Sequence, residues 1–387
     1  MRFPEFSGEW EKCKLGDIAT GFDYGMNAAA KPFDGENKYI RITDIDEASS
    51  TYIDKDIVSP DGTLTENYLV NDRDILLART GASTGKSYLY RKSDGKLYYA
   101  GFLIRANVTK HNPYFVFSQL HTHRYWSWVS IMSARSGQPG INSQEYSSFP
   151  VYVTSLREEE KISALLSLID ERIATQNKII EKLESLIKGL SQRLLSPKQG
   201  WTSYKLDELC QIKSGYSGIQ VSFQTAYKVS RIETISNHCI NMSRIGFVKE
   251  IPQEYKLRVG DILFSNINSV QYIGNTAFID KDYGLYHGMN LLRIVPDSRI
   301  VFPRFIHLLL CSERLLRHFQ SICNKAVSQA SINQTSLGKT IITIPSYKEQ
   351  QHICSIIESV ERKLDIETSL LKMLQYQKQY LLRQMFI

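Results

Sequence analysis

The chain has 387 residues, of which 42% are hydrophobic and 22% charged, the balance of a soluble, folded protein with two or three domains. No apolar run approaches the roughly 20 residues needed to cross a bilayer, and the start "MRFPEFSGEWEKCKLGD" lacks the apolar stretch of a secretory signal. These features argue against a membrane or secreted protein, and we expect a cytoplasmic one. The net charge of +7, with 22 Tyr and 16 Phe, suits a surface that contacts phosphates and bases.

The cysteines, histidines and acids indicate no metal site and no catalytic site. The six cysteines are scattered without a C-x-x-C pair, so neither a disulfide framework nor a zinc site is expected. His121 and His123 form an H-x-H segment without a third ligand at a recognisable spacing, and we expect them to be surface groups. Asp44 and Asp46 lack the accompanying lysine of a nuclease, and the motifs of a methyltransferase are absent. We therefore predict no metal, no cofactor and no catalytic residue in this chain.

Residues 1–155 are predicted to form an α+β domain. The runs "NKYIRITDI", "DILLART" and "KLYYAGFLIRANV" are rich in β-branched and aromatic residues and indicate strands. The run "NPYFVFSQLHTHRYWSWVSIM" indicates one helix with a proline in its first turn.

The segment "GASTGKS", residues 81–87, is similar to the glycine-rich loop that binds nucleotide phosphates. That loop requires G-x-x-x-x-G-K-[ST], so that its backbone N–H groups can surround a phosphate. Only three residues separate Gly81 from Gly85, and Thr80 stands where the first glycine is required. A nucleotide-binding enzyme is therefore an alternative that the spacing does not favour.

Residues 156–196 are predicted to form a long coiled-coil helix. Apolar residues recur at alternating spacings of three and four, the 3.5-residue period of helices that wind round one another. The expected seam consists of Ile162, Leu166, Ile169, Ile173, Ile180, Leu183, Ile187 and Leu190. From Glu158 to Leu194 this helix would be about 55 Å long. Pro197 and Gly200 then end it.

Residues 197–345 are predicted to repeat the first domain. Trp10 recurs 191 positions later as Trp201, and "DRDILLART" recurs as "VGDILFSNI" 187 positions later. The runs "AYKVSRIETI", "NTAFI" and "NLLRIV" indicate strands, and "FPRFIHLLLCSERLLRHFQSIC" indicates a helix. The counterpart of "GASTGKS" falls in "NSVQYIGN", which has no G-K-[ST] and weighs further against a nucleotide site.

Residues 346–387 are predicted to form the second coiled-coil helix. Its seam consists of Ile353, Ile357, Val360, Leu364, Leu371, Leu374 and Leu381. We expect the two long helices to pair antiparallel with a pseudo-two-fold relation, which would place the globular domains at opposite ends of a rod. Gln176 and Glu367 share one repeat position and could fix the register, unless Glu367 points to solvent. The predicted fold class is α+β, with two tandem, repeated α/β globular domains that are each followed by a long helix.

The repeated chain resembles the specificity subunit of type I restriction-modification enzymes. Two blocks carry the resemblance, "REEEKISALLSLIDERI" and "PSYKEQQHICSIIESVERKLD", together with "YGMNAAAKPFDGENKYIRITDID", "DILLARTGASTGK" and the two Ile-Asn segments. It spans essentially the whole chain. The first block has "REEEK" in place of the Glu-Gln pair, which leaves the meaning of that pair open.

The resemblance implies two target recognition domains, each for one half of a bipartite, asymmetric site in double-stranded DNA. The coiled coil would set the spacer and dock two methyltransferase (modification) subunits, which methylate adenine with S-adenosylmethionine. Restriction (motor-nuclease) subunits would use ATP and Mg and complete a defence against foreign DNA. This chain would be non-catalytic and would hold no cofactor. A rod of about 55 Å can separate two domains by one turn of DNA, roughly 34 Å, or more.

Side-chain chemistry singles out candidate DNA contacts in the polar loops and at strand ends. Base edges are recognised best by Arg on guanine and by Asn or Gln on adenine, while Lys, Ser and Thr suit phosphates. In the first domain the candidates are Tyr24, Asn27, Arg41, Arg79, Thr80, Ser83, Lys86, Arg135 and Gln138. In the second domain they are Tyr216, Gln220, Asn266, Asn268, Gln271, Lys325 and Gln329. Each could instead be a solvated surface residue, and Gly25, Gly81 and Gly215 are expected to serve backbone turns.

Two other interpretations compete with a DNA specificity subunit. The nucleotide-binding enzyme would use "GASTGKS". A structural coiled-coil adaptor would explain the long helices, but it would not explain two α+β domains with matching polar loops.

Overall fold

The computed structural model describes residues 2–134, 138–325 and 329–386. The chain divides into two compact units, one formed by Met1–Lys178 with Ser369–Ile387 and the other by Ile179–Thr368. Each unit therefore combines one globular domain with parts of both long helices. None of the helices in the described part of the chain is long and apolar enough to span a membrane.

The globular domain of the first unit is built from short strands and short helices. Its strands are β1 (Glu11–Lys14), β2 (Ala19–Tyr24), β3 (Ala29–Pro32), β4 (Lys38–Ile40), β5 (Val58–Asp61), β6 (Asp74–Ala78), β7 (Ser87–Leu89), β8 (Leu97–Tyr99), β9 (Leu103–Val108) and β10 (Pro150–Val153). Its helices are α1 (Leu15–Ile18), α2 (Pro113–Gln119), α3 (His123–Met132) and α4 (Ser143–Ser147), and the long helix α5 (Leu156–Leu194) follows.

A four-stranded antiparallel sheet with the order β2-β9-β6-β7 forms the centre of this domain. Strand β6 is buried along its whole length, because successive side chains point to opposite faces and both faces are covered. Ile75 and Leu77 join the core with the helices, whereas Leu76 and Ala78 join a second core with β4 and β8. The continuous apolar run "DILLA" thus marks a strand between two cores.

The globular domain of the second unit has the same kind of elements. Its strands are β11 (Thr202–Lys205), β12 (Cys210–Ser214), β13 (Gln220–Val221), β14 (Tyr227–Val229), β15 (Ile235–Ser236), β16 (Cys239–Ile240), β17 (Gly246–Val248), β18 (Ile262–Phe264), β19 (Ile267–Asn268), β20 (Thr276–Phe278), β21 (Leu285–Tyr286), β22 (Leu292–Pro296), β23 (Asn324–Lys325), β24 (Ala330–Ser331) and β25 (Ile341–Ile344). Its helices are α6 (Leu206–Leu209), α7 (Pro303–Leu310), α8 (Glu313–Ile322) and α9 (Gln334–Gly338), and the last long helix is α10 (Tyr347–Met385).

The two domains share one topology, as the sequence repeat predicts. The central sheet of the second domain has the order β12-β22-β18-β20, which matches β2-β9-β6-β7 position by position. Strands β1 and β10 pair Glu11 with Val153, and β11 and β25 pair Thr202 with Ile344, each residue 191 positions later. The parallel pair β4 and β8 corresponds to the parallel pair β14 and β21. The repeat therefore extends to strand register.

Each predicted domain helix is in fact two helices. A break separates α2 from α3 and another separates α7 from α8, because a hydroxyl residue caps the second helix of each pair. Thr122 Oγ1 accepts from Tyr125 N at 3.3 Å, and Ser312 Oγ accepts from Leu315 N at 3.4 Å. His121, expected at the surface, lies in the first break, with its ring nitrogens 2.9 Å from Phe117 O and from Ser50 Oγ.

The long helices run antiparallel to one another within each unit. In the first unit the beginning of α5 packs on the end of α10, where Ile162 and Leu166 share a core with Leu381 and Met385. In the second unit the end of α5 and the beginning of α10 line one cavity, to which Ile187 and Leu364 both belong. The predicted seam residues of both helices are buried or half-buried. Gln176 and Glu367 are also buried, and Glu367 forms an ion pair with Lys363 rather than pointing to solvent.

A buried side-chain oxygen joins each long helix to its domain. Glu159 Oε2 in α5 accepts from the backbone N–H of Asn112 at 2.8 Å, and Gln350 Oε1 in α10 accepts from that of Phe302 at 2.8 Å. Both N–H groups belong to the residue that precedes the first proline of a domain helix. Glutamate and glutamine are equivalent in this role, which accounts for the missing Glu-Gln pair in the first copy.

Replacing Gln350 by alanine should lower the free energy of unfolding of the chain by about 1–3 kcal/mol, because a buried N–H loses its acceptor. Denaturant unfolding of the purified chain measures this loss. Gln351→Ala is the matched control, since that neighbouring side chain is exposed. Equal effects of the two substitutions would contradict the role assigned to Gln350.

His287 should make the second domain less stable in mild acid. Its side chain is 1% exposed, its Nε2 lies 2.9 Å from Leu291 O, and burial lowers its pKa to about 4. Because the unfolded chain takes up this proton near pH 6.5 and the folded chain does not, stability falls as the pH drops from 6.5 towards 4. We expect a loss of about 1 kcal/mol between pH 7.5 and 5.5 that His287→Gln removes. Unfolding curves at both pH values test this, with exposed His352→Gln as the control.

Candidate nucleic-acid interface

Four of the candidate DNA contacts lie together at strand ends of the first unit. Tyr24 ends β2, Arg41 follows β4, Arg79 follows β6, and Asn27 lies between β2 and β3. All four line one cavity of about 690 Å³, together with Phe102, whose ring is 58% exposed. The fold thus gathers side chains from separate loops into a single concave site.

The two arginines of this cavity differ in what they contact. Arg41 Nε and Nη2 donate to the two carboxylate oxygens of Asp44, each at 2.8 Å, so its charge is compensated. The guanidinium of Arg79 has no hydrogen-bond acceptor or ion-pair partner within residues 2–134, 138–325 and 329–386. Its central carbon lies 4.6 Å from the centroid of the Tyr24 ring, within the range of a cation–π contact.

Tyr24 is held by its hydroxyl as well as by this contact. Its Oη accepts a hydrogen bond from the backbone N–H of Ser143 at 3.3 Å. The hydrogen bond to Ser143, together with the nearby charge of Arg79, lowers the pKa of Tyr24. Tyr24 is 41% exposed and lines the cavity, so it presents an aromatic surface there while it contacts Arg79.

The "GASTGKS" loop is folded in a way that leaves little for a phosphate to bind. The N–H of Gly81 donates to Pro139 O at 3.0 Å, that of Gly85 to Ala78 O at 3.0 Å, and that of Lys86 to Ser83 O at 3.0 Å. Lys86 Nζ lies 3.5 Å from a carboxylate oxygen of Glu47. A phosphate loop needs these groups free, so the geometry does not support a nucleotide site.

The remaining candidates of the first domain surround this loop. Thr80 forms a β-bridge with Gly140, and Ser83 ends the 3-10 turn that starts at Gly81. Gln138 is exposed beside the same turn. Arg135 lies outside the described residues.

Candidates of the second domain gather on a small antiparallel sheet with the order β19-β24-β23. Asn268 and Lys325 both pair with Ala330, so they flank the same residue from opposite sides, and Gln329 precedes it. Asn266 donates from Nδ2 to Ile332 O at 3.3 Å, while its buried Oδ1 has no hydrogen-bond partner in the described part of the chain. This sheet is the counterpart of the Thr80 bridge in the first domain.

The other three candidates of the second domain lie elsewhere. The Tyr216 ring packs edge-on against Tyr255 with 5.3 Å between centroids. Gln271 lines a separate cavity of about 420 Å³. Gln220 lies against Gly246, beside the side chain of Arg231.

Arg231 is a candidate that the sequence analysis missed. It follows β14 as Arg41 follows β4, and its N–H donates to Thr234 Oγ1 at 2.8 Å as that of Arg41 donates to Asp44. Its side chain is 46% exposed, and the nearest carboxylate oxygen, of Glu233, is 3.6 Å away. The shared pattern R-I-x-x-I in "RITDI" and "RIETI" is the sequence signal that reveals it.

Gly25 and Gly215 serve close backbone packing rather than turns, contrary to expectation. A side chain at Gly25 would collide with the carbonyl of Ala100, and one at Gly215 with that of Gly288. Gly81, by contrast, has a φ of +68° and does serve a turn.

The site offers hydrogen-bond donors and aromatic rings rather than reactive groups. Within the described residues no group of three or more His, Cys, Asp or Glu side chains is placed to hold a metal ion. Guanidinium and carboxamide groups at a cavity and on a sheet edge suit the recognition of base edges and phosphates.

The purified chain should show no saturable binding of Mg·ATP by isothermal titration calorimetry, because the N–H groups of Gly81, Gly85 and Lys86 already donate within the protein. Lys86→Ala should give the same result as the unsubstituted chain. Saturable binding that Lys86→Ala abolishes would instead establish a nucleotide site.

The chain is similar in sequence to DNA specificity subunits of type I restriction enzymes. The family described as the type I restriction modification DNA specificity domain matches the chain twice, over residues 7–185 and 198–376. The putative type I restriction enzyme MjaX specificity subunit of Methanocaldococcus jannaschii is 33% identical over 194 residues, which cover 49% of this chain and 46% of that protein. The MjaVIII specificity subunit of the same organism is 22% identical over 402 residues, which cover 95% of this chain and 89% of that protein.

Solved structures share the fold over nearly the whole chain. The S subunit of a type I restriction-modification system from M. genitalium aligns with a TM-score of 0.64 at 16% identity, covering 98% of this chain and 96% of that one. A chain from a study of complex assembly and conformational transition of the type I R-M system aligns with a TM-score of 0.57 at 16% identity, covering 97% and 96%. With the specificity domain matched twice along its length, this chain belongs to the family of type I restriction-modification DNA specificity subunits.

Proposed function

We propose that this chain is the non-catalytic subunit that gives a type I restriction-modification complex its DNA sequence specificity. Each globular domain recognises one half of a bipartite, asymmetric target. One observation carries the proposal: the same scaffold occurs twice with different side chains at equivalent positions. The N–H of Ile141 donates to Arg79 O, and that of Ile332 donates to Asn266 O, each at 2.9 Å. Arginine and asparagine therefore occupy the same place in the two domains. Different side chains there imply different half-sites.

The long helices supply surfaces for partner proteins. In the first unit Met373, Tyr376 and Tyr380 of α10 are 60%, 75% and 55% exposed, and their spacing of three and four places them on one face. In the second unit Ile179 and Leu186 of α5 are exposed one heptad apart. Exposed apolar faces of this kind are typical of protein contacts. Two modification subunits would bind there, one for each copy of the repeat, and the coiled coil would set the spacer.

The chemistry of the complex belongs to the partners in this proposal. Modification subunits would methylate adenine with S-adenosylmethionine, and restriction subunits would use ATP and Mg, all in the cytoplasm where foreign DNA arrives. The positive net charge of this chain favours its association with double-stranded DNA.

The proposal predicts adenine methylation that depends on this chain. The modification subunit of the same system is expressed in a methylation-free host, alone and together with this chain, and the host DNA is sequenced by a single-molecule method that detects methyladenine. We expect a bipartite, non-palindromic motif with a fixed spacer only when both proteins are present.

Co-purification of the two proteins is the control that the complex has formed. A soluble complex that methylates no motif would contradict the proposal. Methylation of the same motif by the modification subunit alone would contradict it as well. A structural coiled-coil adaptor would then be the better interpretation.

A further inference from the structure

The cavity of the first domain is lined by an arginine whose guanidinium forms no hydrogen bond or ion pair within the described residues. Of the two arginines that line it, Arg41 is neutralised by Asp44. Arg79 makes only the contact with the Tyr24 ring, and among the described residues its N–H donors have no acceptor. Arg79 is half-buried, but its side-chain nitrogens remain accessible to solvent, so a ligand in the cavity can supply acceptors for them.

The backbone of Arg79 is fixed on both sides. Its N–H donates to Phe102 O at 3.1 Å, and its carbonyl accepts from Ile141 N at 2.9 Å. The ring beneath the guanidinium is itself anchored through Tyr24 Oη to Ser143 N. The fixed backbone and the anchored ring therefore restrict the Arg79 side chain before a ligand binds. This restriction lowers the conformational entropy that is lost on binding.

A guanidinium that stacks on an aromatic ring keeps its N–H groups, which lie in its own plane, available at its edge. That edge matches the O6 and N7 acceptors of guanine, the commonest specific partner of arginine in the major groove. We propose that Arg79 recognises a guanine in the half-site of the first domain and that Tyr24 is its positioning residue. This assignment rests on the proposed function and adds to it a base and the residue that selects it.

The second domain provides an internal comparison. Asn266 occupies the position of Arg79, and its Nδ2 is already bound to Ile332 O. The second domain thus lacks the arginine at this place, and the guanine contact belongs to one half-site alone.

The test compares variants of the complete chain, co-expressed with the modification subunit, by methylation sequencing. Arg79→Ala should leave the spacer and the second half-site unchanged and should relax one guanine of the first half-site. The preference for that guanine should fall roughly 5- to 150-fold, the range for a lost bidentate contact. Tyr24→Leu should relax the same base pair more weakly, whereas Tyr24→Phe, which keeps the ring, should retain most of the preference.

Arg91→Ala is the matched control, because Arg91 is an exposed arginine of the same domain outside the cavity. A uniform loss of methylation with an unchanged motif would show that Arg79 contacts a phosphate, and it would overturn the guanine assignment. The same uniform loss from a misfolded variant is recognised by thermal unfolding, and Arg79→Gln, whose carboxamide matches adenine rather than guanine, then decides. An unchanged motif in a stable Arg79→Gln complex would also refute the assignment. Failure of the unsubstituted chain to produce any motif would count against the proposed function instead.

Discussion

Each globular domain is tied to its long helix by a buried hydrogen bond, and much of the arrangement depends on it. The accepted N–H belongs to Asn112 in the first domain and to Phe302 in the second, the residues that precede the first prolines of α2 and α7. A domain cannot turn on its helix without leaving that donor unpaired, which is costly in a buried place. Glu159 Oε1 also lies 2.8 Å from His111 Nδ1 and accepts from Thr154 N at 3.1 Å, while Gln350 Nε2 donates to Pro345 O at 3.0 Å. Each side chain is therefore held in place by further hydrogen bonds.

Duplication explains why the candidate site can vary while the scaffold does not. The central sheets agree in strand order, and the outer strand pairs agree in register, but the loops that follow the strands differ in length and side chains. Hydrogen bonds between backbone groups define the shared part, and they are indifferent to side-chain identity. Recognition side chains can thus be exchanged at strand ends without loss of the core.

The sequence predicts the elements that carry a strong period or a continuous apolar run. The heptad pattern predicts both long helices, and "DILLA" predicts a strand, which lies between two cores. The breaks at Thr122 and Ser312 were not predicted, because a hydroxyl residue within a helical pattern caps a new helix only when the tertiary structure turns the chain there. The cavity that both Tyr24 and Arg79 line could not be predicted from the sequence either, because it depends on loops that the sheet brings together. Arg231 could have been found by aligning the short R-I-x-x-I pattern of the two copies.

The first unit joins residues 1–178 to residues 369–387, which are translated much later. Its core includes Phe386, whose ring lies 5.8 Å from that of Trp10 and 5.2 Å from that of Phe115. The domain that is translated first therefore lacks part of its core until residues 381–386 have been translated. The second unit, Ile179–Thr368, is continuous in sequence, whereas the first unit needs residues from both sides of it. The first domain must therefore wait with an incomplete core while the whole second unit is synthesised, and apolar surface exposed during that time favours aggregation.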